Sequence, residues 1–319
     1  MPSPAPPPSA PTLHPVIEAW LTRSAELAAS PEAPPDEREH ARWVSDALFT
    51  EFGVAPPAAR RTTHEVPTDR GLLRIDVYRP PGRGADVVPA YLVLHGGAFR
   101  FGHPDELVNV AFCSARAVDA GVAVVCVDYA LAPENPHPAA TLDARDALRW
   151  LVERARDLAI DPDRIVVGGV SAGGALAAGL CAWARDHGVA VRGQLLEVPV
   201  VDLSPGAPWL DEHAALNGLG DLETIREGYA TPDEALTAEV SPLRGDLAGL
   251  PPTHVMTAEL DPLRAGGEEL VRRLRAAGTE VTATRHLGEV HASQALLRGW
   301  RGARLWHREV VAVLRDLVG

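Results

Sequence analysis

Four short segments carry the residues whose types and spacing point to chemistry. Ser171 stands in Gly169-Val-Ser-Ala-Gly173, after the apolar run Arg164–Val167 and before an alanine-rich stretch. A G-x-S-x-G pattern therefore falls where a strand should end and a helix begin. Its glycines permit the cramped turn that lifts a hydroxyl clear of a sheet edge, and a helix N-terminus behind it favours negative charge developing nearby. That suits a nucleophile; an incidental serine in a glycine-rich turn is the plainer alternative. His95-Gly-Gly-Ala-Phe99 follows the apolar run Ala90–Leu94. Backbone amides of Gly96, Gly97 and Ala98, with that of Ala172, are candidates to hold an oxyanion. Asp261 lies just past the apolar run Thr253–Thr257, and His291 follows the last strand-like run, Glu280–Thr284. A hydroxyl, an imidazole, a carboxylate and a set of amides are the parts of acyl transfer through a covalent intermediate.

Each candidate has rivals. Glu259 competes with Asp261 for the acid and is expected to face away from the site, while His286 reads as a packed or surface histidine of the strand before His291. His95 reads as structural, since its neighbours' amides are what the chemistry needs. Tyr129 and Glu134 read as parts of a loop shaped by Pro133 and Pro136. Trp20, Trp43 and Trp209 are candidates to line an acyl pocket, with core packing the alternative.

These residues need a scaffold, and the hydrophobic pattern describes one. Short apolar runs at Leu72–Tyr78, Ala90–Leu94, Val122–Val127, Arg164–Val167, Gln194–Val201, Thr253–Thr257 and Glu280–Thr284 read as strands, most of them covered on both faces. Helical candidates at Leu107–Ala120, Thr141–Leu158, Ala172–Asp186, Gly267–Ala277 and Ala303–Leu317 lie between or after them. The alternation predicts a mainly parallel, doubly wound α/β sheet. Ahead of it, apolar residues at helical spacing on either side of Ser30-Pro-Glu-Ala-Pro-Pro35 predict two amphipathic helices between Pro15 and Gly53, and residues 1–12 read as a proline-rich leader. A polar insertion at 206–230 interrupts the alternation.

Five segments together resemble the hormone-sensitive lipase-like carboxylesterases (bacterial family IV) of the α/β-hydrolase superfamily. Their motifs H-G-G-G-[FW], D-Y-R-L-A-P-E, G-D-S-A-G-G, D-P-L and G-x-x-H-G-F stand here as His95-Gly-Gly-Ala-Phe99, Asp128-Tyr-Ala-Leu-Ala-Pro-Glu134, Gly169-Val-Ser-Ala-Gly-Gly174, Asp261-Pro-Leu263 and Gly288-Glu-Val-His-Ala292. The resemblance spans roughly residues 60 to 319, in the family's Ser, Asp, His order. It implies an α/β-hydrolase fold with Ser171 as nucleophile, His291 as general base and then acid, and Asp261 as the group that orients the imidazole. It also implies a helical cap built from residues 13–58 and 206–230 on a catalytic domain spanning 59–319. No metal or organic cofactor follows from it. The chain departs from the motifs at Val170, where an acidic residue is usual, at Ala98, where the third glycine stands, and at Ala292-Ser293, in place of Gly-Phe.

Composition narrows the partners. A formal net charge of −13 disfavours nucleic acid and anionic membranes. All 30 basic residues are arginine, which excludes a Schiff-base lysine, a Ser-Lys dyad and a P-loop lysine. Cys113, Cys126 and Cys181, odd in number and in apolar surroundings, read as buried free thiols of a reducing compartment. There is no signal-peptide pattern and no apolar run of membrane-spanning length, so a cytoplasmic protein is expected; a monomer or homodimer is expected as well. The sequence is read as a hydrolase of small carboxylic esters, and the resemblance implies short to medium acyl chains. Acyl transfer, lactone opening or elimination on a natural product, and non-catalytic binding of a small molecule, are the alternatives.

Overall fold

The computed structural model describes residues 13–83, 86–209 and 222–319. Eight strands form one sheet: β1 (Arg60–Thr68), β2 (Gly71–Arg79), β3 (Val88–Leu94), β4 (Ala123–Val127), β5 (Ile160–Val170), β6 (Gly193–Glu197), β7 (Thr253–Ala258) and β8 (Val281–His286). Their order is β1-β2-β4-β3-β5-β6-β7-β8, with β2 antiparallel to both β1 and β4 and every other pair parallel.

The central strands are apolar on both faces because helices cover both. Leu92, Val125 and Val167 face one layer while their neighbours Tyr91, Val124 and Val166 face the other, as a two-residue strand period requires. The first layer contains α4 (Ala139–Arg154), α5 (Ala172–Asp186) and α7 (Arg264–Ala276), which bury Leu148, Leu176 and Leu270. The second contains α3 (Leu107–Ala120) and α8 (Arg301–Leu317). Ala303, Trp306, Val310 and Leu314 make a buried stripe at helical spacing along α8. Truncating a fully buried residue such as Leu148 to alanine costs about 2–5 kcal/mol in a core of this kind.

Before the sheet come α1 (Pro15–Ala28) and α2 (Glu37–Phe52). Asp36 starts α2 by accepting the amides of Arg38 at 3.0 Å and Glu39 at 2.9 Å. Arg38 then fastens the helix to the sheet's loops, donating Nε to the Arg100 carbonyl at 2.9 Å and Nη2 to the Ala132 carbonyl at 2.6 Å. A short helix, α6 (Leu222–Arg226), belongs to the insertion, whose residues 210–221 lie outside the described residues, as do 1–12. Among the described residues no helix is long and apolar enough to cross a membrane.

The elements differ from expectation at three places. β1 was not anticipated: Arg-Arg-Thr-Thr-His-Glu-Val-Pro-Thr is polar, and the ladder to β2 along its whole length makes it a strand. β5 begins at Ile160, before its apolar run, because Ile160 pairs with Val88 across an irregular register. β6 ends at Glu197, and Val198, Val200 and Val201 continue as a buried loop rather than as strand.

Candidate active site

Ser171 caps the start of α5, directly after β5, with φ 55 and ψ −117. A non-glycine residue there costs on the order of 1–3 kcal/mol and persists only when its surroundings fix it. They do so here: its amide donates to the Glu197 carbonyl at 2.9 Å, and its carbonyl accepts from Gly174 at 2.9 Å and Val200 at 3.1 Å. The flanking glycines are needed because strand end and helix start touch. A Cβ on Gly169 would meet the Gly173 carbonyl oxygen at 2.2 Å, and one on Gly173 would meet that of Leu94 at 2.1 Å. Beneath the turn, the buried Glu197 carboxylate pairs with Arg116 at 2.8 Å and accepts from Trp306 Nε1 at 2.7 Å.

Three sequence candidates converge. His291 Nε2 lies 3.1 Å from Ser171 Oγ, and Nδ1 lies 2.8 Å from Asp261 Oδ2. With the ring proton on Nδ1, Asp261 accepts that bond and the Nε2 lone pair accepts the serine proton. Asp261 is wholly buried and its other oxygen accepts the Leu263 amide at 2.8 Å, which fixes the carboxylate. Glu259 faces away as expected, with Oε2 accepting the Gly288 amide at 2.7 Å. It shapes the turn leading to His291 and does not touch the imidazole. His286 lies 3.0 Å from the Glu309 carboxylate, on the packed face of α8.

The loop after β3 lies beside Ser171. Gly96 abuts the elbow, where a Cβ would lie 3.2 Å from the Val170 carbonyl oxygen and 3.5 Å from Ser171 Cβ. At Gly97, φ is 131 and a Cβ would collide with the Phe101 carbonyl at 2.1 Å, so only glycine fits. Ala98 adopts φ 51 and Phe99 φ 62, both left-handed. The amides of Gly97 and Ala98 donate to no acceptor among the described residues, and that of Ala172, first in its helix, has no intrahelical carbonyl to meet. His95 is buried against Tyr129, whose hydroxyl donates to the His95 carbonyl at 2.8 Å, and burial pushes its imidazole down to about 4. It therefore stays neutral and structural.

A cavity of about 500 Å³ opens over Ser171 and His291. Its walls include Trp20, Phe49, Phe52, Phe112, Ile225 and Leu296, drawn from both N-terminal helices, α3, α6 and the segment after His291. Trp20 lines it; Trp43 instead meets the His40 ring edge-on, and Trp209 donates to Asp202 at 3.0 Å. Val170 lines it as well, packing where the motif ordinarily has a carboxylate. One buried acid in the wall, Glu106, carries no sequence signal, because helix packing rather than a motif brings it there. Among the described residues no group of three or more His, Cys, Asp or Glu side chains is arranged to hold a metal.

Residues 91–295 match a family model described as alpha/beta hydrolase fold. The carboxylic ester hydrolase LipN of Mycobacterium tuberculosis is 31% identical over 95% of this chain and 83% of its own. The carboxylesterase NlhH of the same organism is 38% identical over 86% of this chain and 81% of its own. Among solved structures, an esterase of Pyrobaculum calidifontis superposes with a TM-score of 0.85 at 30% identity, covering 97% of this chain and 100% of that one.

Proposed function

We propose that Ser171, His291 and Asp261 carry out the chemistry of this chain, which belongs to the alpha/beta hydrolase fold family, in its hormone-sensitive lipase-like group, and hydrolyses carboxylic esters. The observation that carries the assignment is the unbroken relay from Ser171 Oγ through His291 to the buried Asp261. Ser171 Oγ attacks the ester carbonyl while His291 Nε2 takes its proton. The oxyanion that forms is held by the amides of Gly97, Ala98 and Ala172, with Gly96 keeping the loop against the serine. His291 passes the proton to the departing alkoxide, leaving Ser171 acylated. Water, deprotonated by the same nitrogen, then attacks the acyl carbonyl, and the acid leaves as Ser171 recovers its proton.

The apolar cavity supports short to medium acyl chains as substrates. Residues 13–58 act as a cap over the catalytic domain 59–319, supported by the share of the cavity wall that α1 and α2 supply; 206–230 is its second part, of which Thr224 and Ile225 line the cavity. The relay and the cavity are complete within one chain, which suits a monomer or a homodimer of independent sites. Three buried free thiols suit a reducing, cytoplasmic setting. A series of p-nitrophenyl esters from acetate to palmitate tests the substrate class: kcat/KM should peak between acetate and octanoate and fall for palmitate, whereas a maximum at palmitate would contradict it.

A further inference from the structure

The cavity contains one buried carboxyl that ester hydrolysis does not use. Glu106 lies just ahead of α3 and is 9% exposed, within a wall that includes Leu48, Phe49, Val108 and Phe112. Glu106 occupies the N-cap position, where the shorter Asp is the carboxylate that reaches the helix amides, and its own side chain makes no capping bond. Asp46 of α2 does that work, its Oδ1 accepting the Leu107 amide at 2.8 Å. The Glu106 carboxyl therefore takes no part in capping α3. Among the described residues its one side-chain hydrogen-bond partner is Ser45, whose Oγ donates to Oε2 at 3.2 Å.

An acid set in an apolar wall with so few partners is costly unless something else meets it. Burial pushes Glu106 up to about 7, and Asp46 adds to the rise, while Ser45, Arg42 and the His103 backbone oppose it. No arginine neutralises it: Arg42 donates to the Asp105 carbonyl at 3.3 Å, and Arg100, also in the wall, turns to Glu37 at 3.2 Å.

We propose that Glu106 is a specificity-determining residue, and that the side of the cavity between α2 and α3 receives a hydroxyl or an ammonium group carried at the end of an apolar acyl or alcohol chain. The inference rests on the ester-hydrolysis reading of the same cavity. A hydroxyl pairs with Glu106 in either protonation state, whereas a cation gains most once the carboxyl is ionised. An anionic chain end is disfavoured there.

The test compares matched esters, so that the shared nucleophile and base cancel. Butanoate esters of alkan-1-ols, of ω-hydroxyalkanols and of ω-trimethylammonioalkanols probe the alcohol side. Methyl esters of alkanoic, ω-hydroxyalkanoic and ω-trimethylammonioalkanoic acids probe the acyl side, both over chain lengths from butyl to octyl. The ratio of kcat/KM, substituted over plain, should reach about tenfold for at least one family and length, and fall to near unity in Glu106→Leu. Glu106→Gln should keep a hydroxyl preference and lose a cation preference. For a cationic chain end the wild-type ratio should also rise with pH through about 7. Ratios that are the same in wild type, Glu106→Leu and Glu106→Gln on both sides and at every length would overturn the proposal. Failure of the underlying esterase reading would look different, because wild type would then leave the plain esters intact.

Discussion

At the scale of single residues, the site depends on backbone conformations that side chains ordinarily avoid. Ser171, Ala98 and Ala292 all have φ between 51 and 67 without being glycine. For the two alanines, left-handed backbone costs roughly 1–2 kcal/mol. Glycine there would relieve that cost and give back about 0.4–1 kcal/mol through a looser unfolded chain. The first term is the larger, so alanine at either position carries a net cost of up to roughly 1.5 kcal/mol relative to the glycine of the family motifs. Neither departure removes an amide from the proposed oxyanion hole. The acid is the sharper case, since Asp261 and Glu259 both lie near the histidine loop but only Asp261 bonds the imidazole. An amide at 261 would favour the wrong imidazole tautomer, so Asp261→Asn should lower kcat by about 10³ to 10⁴-fold. Glu259→Gln still accepts the Gly288 amide and should stay within about tenfold of wild type. Steady-state kinetics on p-nitrophenyl butanoate ranks the two, and the reverse ranking would move the orienting role to Glu259.

At the scale of elements, α2 matters both as wall and as clamp. Arg38 joins it to two loops through the carbonyls of Arg100 and Ala132 and pairs with Glu134. The Arg100 carbonyl belongs to the loop of Gly97 and Ala98, so Arg38 steadies the amides proposed to hold the oxyanion. Hydrogen bonds from a charged donor are worth about 1.5–3 kcal/mol, less where water competes as it does at this half-buried side chain. Arg38→Met should therefore reduce kcat by about tenfold and leave KM for p-nitrophenyl butanoate within twofold. Arg23→Met, which removes two exposed pairs, one with Glu51 of α2 and one with Glu26 of its own helix, should leave both constants near wild type. Equal effects of the two changes would mean that α2 does not hold the loop. The clamp is invisible in the sequence, because residues 38, 100 and 132 meet only after folding. Helices α3 and α5, by contrast, run over the residues expected of them: Gly121, left-handed at φ 75, stops α3, and the glycine-flanked elbow starts α5. β1 was missed for the opposite reason, since its polar residues carry no signal of their own and the pairing with β2 supplies the energy.

Across the whole molecule, ionisable groups are arranged with opposing consequences for stability. Bonds from Arg74, aided by Arg61, hold Asp105 well below the usual carboxylate range despite its partial burial. Burial works against Glu309, but His254, His286 and Thr284 outweigh it and hold that carboxyl low as well. A carboxyl depressed in the folded state stabilises fully above its unfolded value and loses that contribution as pH falls through the folded one, so both favour the fold at neutral pH and withdraw support in acid. Glu106 has the opposite sign: raised to about 7, it costs stability as pH climbs from the ordinary glutamate range to about 7, by up to roughly 3 kcal/mol. Glu106→Gln, which resembles the protonated acid, should match the wild-type Tm near pH 4.5 and exceed it by several degrees at pH 8. Thermal melts at the two values check this, and a pH-independent difference would contradict it. The mainly parallel α/β sheet was legible from apolar runs, and the three side chains that meet at His291 from the motifs, while Glu106 was not, because nonlocal packing assembles the cavity wall. All of this converges on one hydroxyl. The most direct measurement is kcat/KM for p-nitrophenyl butanoate in Ser171→Ala, with folding verified by an unchanged melting transition. The account predicts a loss of at least about 10³-fold against wild type, and a variant that keeps most of its activity would contradict it.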